Sequence, residues 1–220
     1  MKHATFTDGS SPIPLNTLFC VGQNYAEHAK EMGSTVADTP VIFFKPVNAV
    51  VTDGAPVIIP AITTSLHHEV ELTVLIGTGG RDIPRSSALS HVAGYGVGLD
   101  MTMRDVQSAA KKAGMPWATA KGFHTSAPLS PFVPAARVPD PQALEISLAV
   151  NGALRQRTST ATMNFSVAVL IEYLSSVFSL ESGDVIYTGT PEGVAAVTAG
   201  DELAAELHGL VSITHRIVAR

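Results

Sequence analysis

A strand-rich α+β fold is what this sequence predicts, and three observations predict it. Short apolar runs with the two-residue period of strands recur along the chain. The one segment with the composition of a strong helix is SVAVLIEYLSSVF, from Ser166. Helices and strands also alternate too irregularly for a doubly wound parallel sheet or a TIM-type barrel. The 220 residues suffice for one large domain and are short for two, so 1–220 reads as a single domain with 1–17 as an N-terminal extension.

In chain order, the first strand-like run is Leu18 to Val21. NYAEHAKEMG then reads as a short helix over 24–33, with Asn24 as N-cap, Glu27 three residues on, and Gly33 as its stop. Its apolar face is thin (Ala26, Ala29, Met32), so packing holds it weakly. PVIFFKPVNAVV and PVIIP give strands bounded by proline, and LHHEVELTVLIG follows as another. A short helix about Ser86 to Val92 leads into the strand AGYGVGLD, and MRDVQSAAKKAG is a helix ending at Gly114. Met115 to Pro134 reads as a loop. LEISLAV and ALRQRT flank Asn151-Gly152, a strong hairpin signal. GDVIYTG is a strand, and the chain closes in a hairpin about His208-Gly209.

The hydrophobic fraction of 45% and charged fraction of 15% describe an ordinary globular protein. A net charge of −5 with scattered Lys and Arg leaves no footprint for nucleic acid or an anionic membrane. Cys20, the single cysteine, lies in the apolar run LFCVG and reads as a buried hydrophobe in a reducing compartment. The N-terminus has no apolar signal region and no run approaches 18 apolar residues, so the expectation is a cytoplasmic protein without a targeting segment.

The strand LHHEVELTVLIG raises the chemical question. Its period places Val70, Leu72, Val74 and Ile76 on one face and throws Glu69 and Glu71 together on the other. A solvated face explains such a pair, and so does a divalent cation. Asp100 ends the strand GYGVGLD, on the face of Gly94, Gly96 and Gly98, where missing side chains leave room for a close approach. Glu69, Glu71 and Asp100 together suit a hard cation, Mg²⁺ or Mn²⁺, which also relieves their mutual repulsion. His67 shares the face of Glu69 and reads as structural or supporting, and His68 as a core histidine.

Arg104 and Gln107, three apart on a helix, form either a clamp for a carboxylate or a solvated pair. Asp105 reads as an ion pair or cap. Lys121 sits among small and apolar residues, where a surface lysine is the plain alternative. His28 and Glu31 have the spacing of a general-base pair, or of two solvated neighbours. TGTPEG around Thr190 is a turn whose hydroxyl and N–H groups suit a carboxylate, or an ordinary strand-to-loop turn.

In their order, CVGQNYAEHAKEMG, PVIFFKP, HHEVELTVLIG, GYGVGLDMTMRDVQ, KKAGMPWATAKGF, VNGALRQ and GDVIYTGTPEGV resemble the fumarylacetoacetate hydrolase family, from about Leu18 nearly to the C-terminus. The chain looks most like the short acylpyruvate hydrolase branch. The resemblance implies a mixed β-roll or β-sandwich around a barrel-like core, in a homodimer. It implies that Glu69, Glu71 and Asp100 bind the metal and that His28 and Glu31 are a catalytic dyad on a lid. Lys121 matches the active-site lysine, and Arg104, Gln107 and Thr190 match substrate-binding positions. The implied activity is metal-dependent hydrolysis of acylpyruvates, 2,4-dioxo acids, to pyruvate and a carboxylic acid. Oxaloacetate decarboxylation and 2-oxo-acid tautomerisation use the same chelating group and are the alternatives; a non-catalytic oxo-acid binder is a distant third.

Overall fold

The computed structural model describes residues 2–31, 33, 37–52 and 54–220. Two sheets carry the architecture. The larger has six strands in the order Val133–Pro134, Val92–Leu99, Val70–Ile76, Val185–Tyr187, Leu18–Gly22 and Val41–Lys45. Val185–Tyr187 and Leu18–Gly22 run parallel; the other pairings are antiparallel. The second sheet orders Ala153–Ser159, Glu145–Val150, Glu202–Leu207, Val211–Ala219 and Val57–Ile59. Neither closes on itself, so among the described residues the barrel-like core implied by the resemblance is an open two-sheet arrangement.

The core between the sheets takes Val70, Leu72, Val74 and Ile76 from one and Ile146, Leu148, Leu203, Leu207 and Ile213 from the other. This is the alternation read from the sequence. A second core lies on the opposite face, built from Leu18, Cys20, Leu75, Leu129, Phe132, Val185 and Tyr187. Every residue of Val70–Ile76 is therefore buried. The solvated-face explanation of the carboxylate pair fails, because the face carrying Glu71 is inside the protein. Residues 2–17 join this second core through Ala4 and Leu15, and His3–Ala4 pairs with Ile13–Pro14. The segment read as an extension is thus packed into the fold.

Local chemistry explains several elements. Asn151 (φ 52°) and Gly152 (φ 77°) make the two-residue turn between antiparallel strands that their left-handed backbone favours. The helix Val167–Val177 starts at Ser166, whose hydroxyl accepts from Val169 N, and buries Val167, Leu170, Ile171 and Leu174. Within 115–134, read as loop, the structure forms a helix at Ala118–Lys121 and strands at Ala127–Pro128 and Val133–Pro134. Partners distant in sequence stabilise these pieces: Val50–Val51 for the first strand and Val92–Leu99 for the second. No helix among the described residues is long and apolar enough to cross a membrane.

The glycines facing Asp100's side of the strand also need a different explanation from the one expected. A Cβ on Gly98 would sit 2.6 Å from Tyr187 Cε1, 2.8 Å from Thr73 Cγ2 and 3.0 Å from Pro128 O. The protein's own side chains fill the space. Gly98→Ala therefore overpacks a two-sided core, and we expect a loss of about 1–3 kcal/mol of stability in a urea titration. A change below about 0.5 kcal/mol would contradict this packing account.

Candidate active site

The strand that carries the glutamates is interrupted. Leu66–His67 pairs with Thr102–Met103 and Ala196–Val197 in a small sheet, whereas Val70–Ile76 belongs to the large one. Glu69 sits at the break, its carbonyl accepting from Asp100 N at 2.8 Å, and Glu71 pairs with Gly98. The two strand ends thereby bring Glu69, Glu71 and Asp100 together, with one carboxylate oxygen of each within 4.8 Å of the others. All three are buried.

Three cations face them. Arg104 donates to Glu69 Oε1, Lys121 Nζ donates to Glu69 Oε2 at 2.8 Å and to Asp100 Oδ2 at 2.5 Å, and Lys45 Nζ lies 2.7 Å from Asp100 Oδ1. The plain reading of Lys121 as a surface residue is corrected: it is 3% exposed. Burial disfavours its charge, but Asp100 and Glu69 outweigh that and push it up to about 12. Burial would likewise raise Glu69, yet Lys121 and Arg104 hold it well below the usual carboxylate range. Glu71 differs. Its Oε2 accepts from Gly189 N at 2.7 Å, and among the described residues no cationic side chain forms an ion pair with it. Burial, then Asp100 and Glu69, push its carboxyl well up. A buried, all-oxygen donor set with one carboxylate short of positive charge fits a hard divalent cation.

Around this cluster a pocket is lined by His28, Phe43, Arg104, Gln107, Trp117, Lys121 and Thr190, among others. Arg104 donates to Gln107 Oε1 at 2.7 Å, so the pair is a built unit rather than two solvated neighbours. That bond directs the Gln107 amide's N–H groups elsewhere, as donors. His28 is buried, its Nδ1 3.4 Å from Glu31 Oε2. Burial lowers its pKa, against the opposing pull of Glu69 and Glu31. Glu31 is exposed, accepts from Gly193 N at 3.2 Å, and lies behind His28 rather than in the pocket wall. The pair is present, but Glu31 reaches the pocket only through the imidazole.

Other expectations are corrected. Asn24 does not cap the helix, which spans Ala26–Glu31; its side chain donates to Phe165 O and Thr188 O and accepts from Phe165 N. Distant carbonyls outcompeted the cap because they are buried and need a donor. Met32, counted on that helix's apolar face, lies outside the described residues. Asp105 forms no ion pair among the described residues but accepts from Thr63 Oγ1 and Thr64 N, pinning that loop to the helix start. His68 is buried as expected, with Nδ1 3.0 Å from Gln156 Oε1, while His67 meets Ser65 Oγ at 3.1 Å. In TGTPEG, Gly189 N serves Glu71, and Thr190 Oγ1 accepts from Gln156 Nε2 at 2.9 Å.

Two polar residues escaped the sequence reading. Lys45 is 2% exposed, and besides its ion pair with Asp100 its ammonium donates to the carbonyls of Met101 (3.1 Å), Ser126 (3.0 Å) and Lys121. The signal was a lysine closing the apolar run VIFFK. Gln156, on Ala153–Ser159, reaches the site from the second sheet.

The profile of the fumarylacetoacetate (FAA) hydrolase C-terminal domain matches residues 17–218. The chain belongs to the fumarylacetoacetate hydrolase family. Among relatives, mitochondrial oxaloacetate tautomerase FAHD1 of Rattus norvegicus is 50% identical over 200 residues, 91% of this chain and 90% of that one. Oxaloacetate tautomerase YcgM of Escherichia coli is 48% identical over 218 residues, 99% of each chain. Fumarylpyruvate hydrolase from Pseudomonas aeruginosa, solved in complex with Mn²⁺ and pyruvate, superposes with a TM-score of 0.96 at 42% identity, covering 100% of this chain and 96% of that one. The family and the strand-rich fold read from the sequence are those found. The members differ in named activity, so family membership establishes an enzyme fold and leaves the reaction to the site.

Proposed function

We infer that this chain is a divalent-metal-dependent enzyme of small 2-oxo acids, and that keto–enol tautomerisation of oxaloacetate is its activity. The observation that carries the reading is a buried base, His28, facing a three-carboxylate site for a hard cation. Relatives at 48–50% identity named oxaloacetate tautomerase favour this reaction over the acylpyruvate hydrolysis expected from the sequence. Glu69, Glu71 and Asp100 would hold Mg²⁺ or Mn²⁺, which when bound supplies Lewis-acid polarisation of the substrate's 2-oxo group.

The chain's own residues do the rest. Thr190 and Gln107 donate to the C1 carboxylate, and Arg104 places positive charge beside it. With Nδ1 engaged by Glu31, His28 presents Nε2 as the basic nitrogen; it takes a proton from C3 and returns it to the C2 oxygen. The Lys121 ammonium stabilises negative charge as it develops on that oxygen. Atoms balance, since one proton moves between two positions of one molecule.

Hydrolysis of acylpyruvates is the second reading. It is favoured by the His28–Glu31 pair, which suits activation of water, and by the likeness to fumarylpyruvate hydrolase. Side-by-side assays of oxaloacetate and acetylpyruvate, with Mg²⁺ and with EDTA, separate the two. Metal-dependent keto–enol exchange without pyruvate release supports tautomerase. Release of pyruvate with acetate from acetylpyruvate moves the assignment to hydrolase, and pyruvate with CO₂ from oxaloacetate to decarboxylase.

The base also predicts a pH profile. His28 must be neutral to accept a proton, and burial lowers its pKa from the ordinary 6.5. The acid limb of kcat/KM should therefore fall below pH 6.5, with activity lost as pH drops through it. Glu31 raises the His28 pKa, so Glu31→Gln should shift the limb to still lower pH and reduce kcat about tenfold, less than the roughly hundredfold or more that loss of the base itself would cost. An unchanged limb in that variant would remove Glu31 from the mechanism.

A further inference from the structure

The motif VNGALRQ ends in Gln156, which is 1% exposed and whose amide uses all of its capacity. Oε1 accepts from Val70 N at 3.1 Å and lies 3.0 Å from His68 Nδ1. Nε2 donates to Thr190 Oγ1 at 2.9 Å and to Pro191 O at 2.9 Å. A backbone N–H on one side and a carbonyl on the other leave only one orientation for the amide. His68 Nδ1 must then carry a proton, and Thr190 must accept at Oγ1. A hydroxyl that accepts from one neighbour turns its own proton away from it.

We propose that Gln156 is a positioning residue that polarises Thr190, fixing its hydroxyl as a donor into the pocket where the substrate carboxylate binds. The same amide ties the strand bearing Glu71 to the loop bearing Thr190, across the two sheets. Gly193 keeps that loop against the Gln156 strand: a Cβ there would lie 2.3 Å from Arg155 O. An anion at Thr190 thus meets a pre-oriented proton instead of a rotor that can present a lone pair. This rests on the reading of Thr190 as a carboxylate donor.

The test is a double-mutant cycle of Gln156→Glu and Thr190→Val, read as oxalate affinity of the Mn²⁺-loaded protein by calorimetry, with Mn²⁺ affinity and Tm as controls. Glutamate keeps the acceptor for Val70 N–H and His68 but turns the donor into an acceptor, to which Thr190 donates. Each single variant should bind oxalate about 10- to 100-fold more weakly, as expected for a lost hydrogen bond to a charged group. The double variant should be no weaker than the Thr190→Val single, with Mn²⁺ affinity preserved. Multiplying effects, or a Gln156→Glu variant that binds oxalate normally, overturn the positioning role alone. A Thr190→Val variant that binds oxalate normally overturns the carboxylate-site reading as well. Should Gln156→Glu not fold, NMR of the wild type decides: both Gln156 amide protons should exchange slowly, and Thr190→Val should accelerate one of them. Fast exchange of both in the wild type overturns the proposal.

Discussion

Glu71→Gln is expected to abolish Mn²⁺ binding and reduce kcat/KM at least about a thousandfold, while leaving the metal-free protein more stable than the wild type. The two effects have one cause. Burial, then the neighbouring Asp100 and Glu69, push the Glu71 carboxyl well up, so its ionised form is costly without a cation. A glutamine keeps the bond from Gly189 N and removes the charge. The sign of the pH dependence follows: a carboxyl with a raised folded-state pKa contributes stability below its unfolded value, near 4.5, and loses it as pH rises through the folded one. EDTA-treated wild type should therefore lose stability as pH rises through the folded value, and Glu71→Gln should not. At neutral pH the variant should gain about 1–3 kcal/mol in a urea titration, and added Mn²⁺ should raise Tm only for the wild type. A metal-free variant less stable than the wild type would show that the acidic cluster is not strained.

Lys45→Met should cost about 3–5 kcal/mol of stability, one of the largest single effects in the chain. The ammonium is 2% exposed, pairs with Asp100 at 2.7 Å, and donates to three backbone carbonyls from segments 101, 121 and 126. Its loss leaves Asp100 with Lys121 as its only ion-pair partner among the described residues and removes the shared donor to the 101, 121 and 126 carbonyls. Methionine fills the volume but supplies no charge. Arginine is no remedy, because a planar guanidinium does not fit where a compact ammonium reaches carbonyls in three directions. Thermal unfolding should show Tm lower by roughly 6–20 °C. A loss under about 1 kcal/mol would mean that Asp100 and those carbonyls are satisfied without Lys45.

Much of the site was legible from spacing. Strand alternation singles out Glu69 and Glu71, although Glu69 sits at a break between two strands. Arg104 and Gln107 meet because helix positions three apart are neighbours, and Asn151-Gly152 turns because both residues tolerate positive φ. These are local rules, read within a few residues. Asn24 shows their limit, since a sound capping signal lost to partners 141 and 164 residues away.

The sequence by itself determined the strand-rich class and the family, and it singled out the three carboxylates and the His28 and Glu31 pair that the proposed function uses, because each depends on periodicity or on ordered short motifs. Tertiary structure alone decided that the glutamate face is a second core and that Gly94, Gly96 and Gly98 face the protein's own packed atoms, Tyr187 among them, rather than a ligand. It also buried Lys121, set Glu31 behind the imidazole, and recruited Lys45 and Gln156. The physical reason is common to all of these. A buried charge or amide survives only where distant segments bring it partners, and neither those partners nor the burial is encoded in the residues beside it.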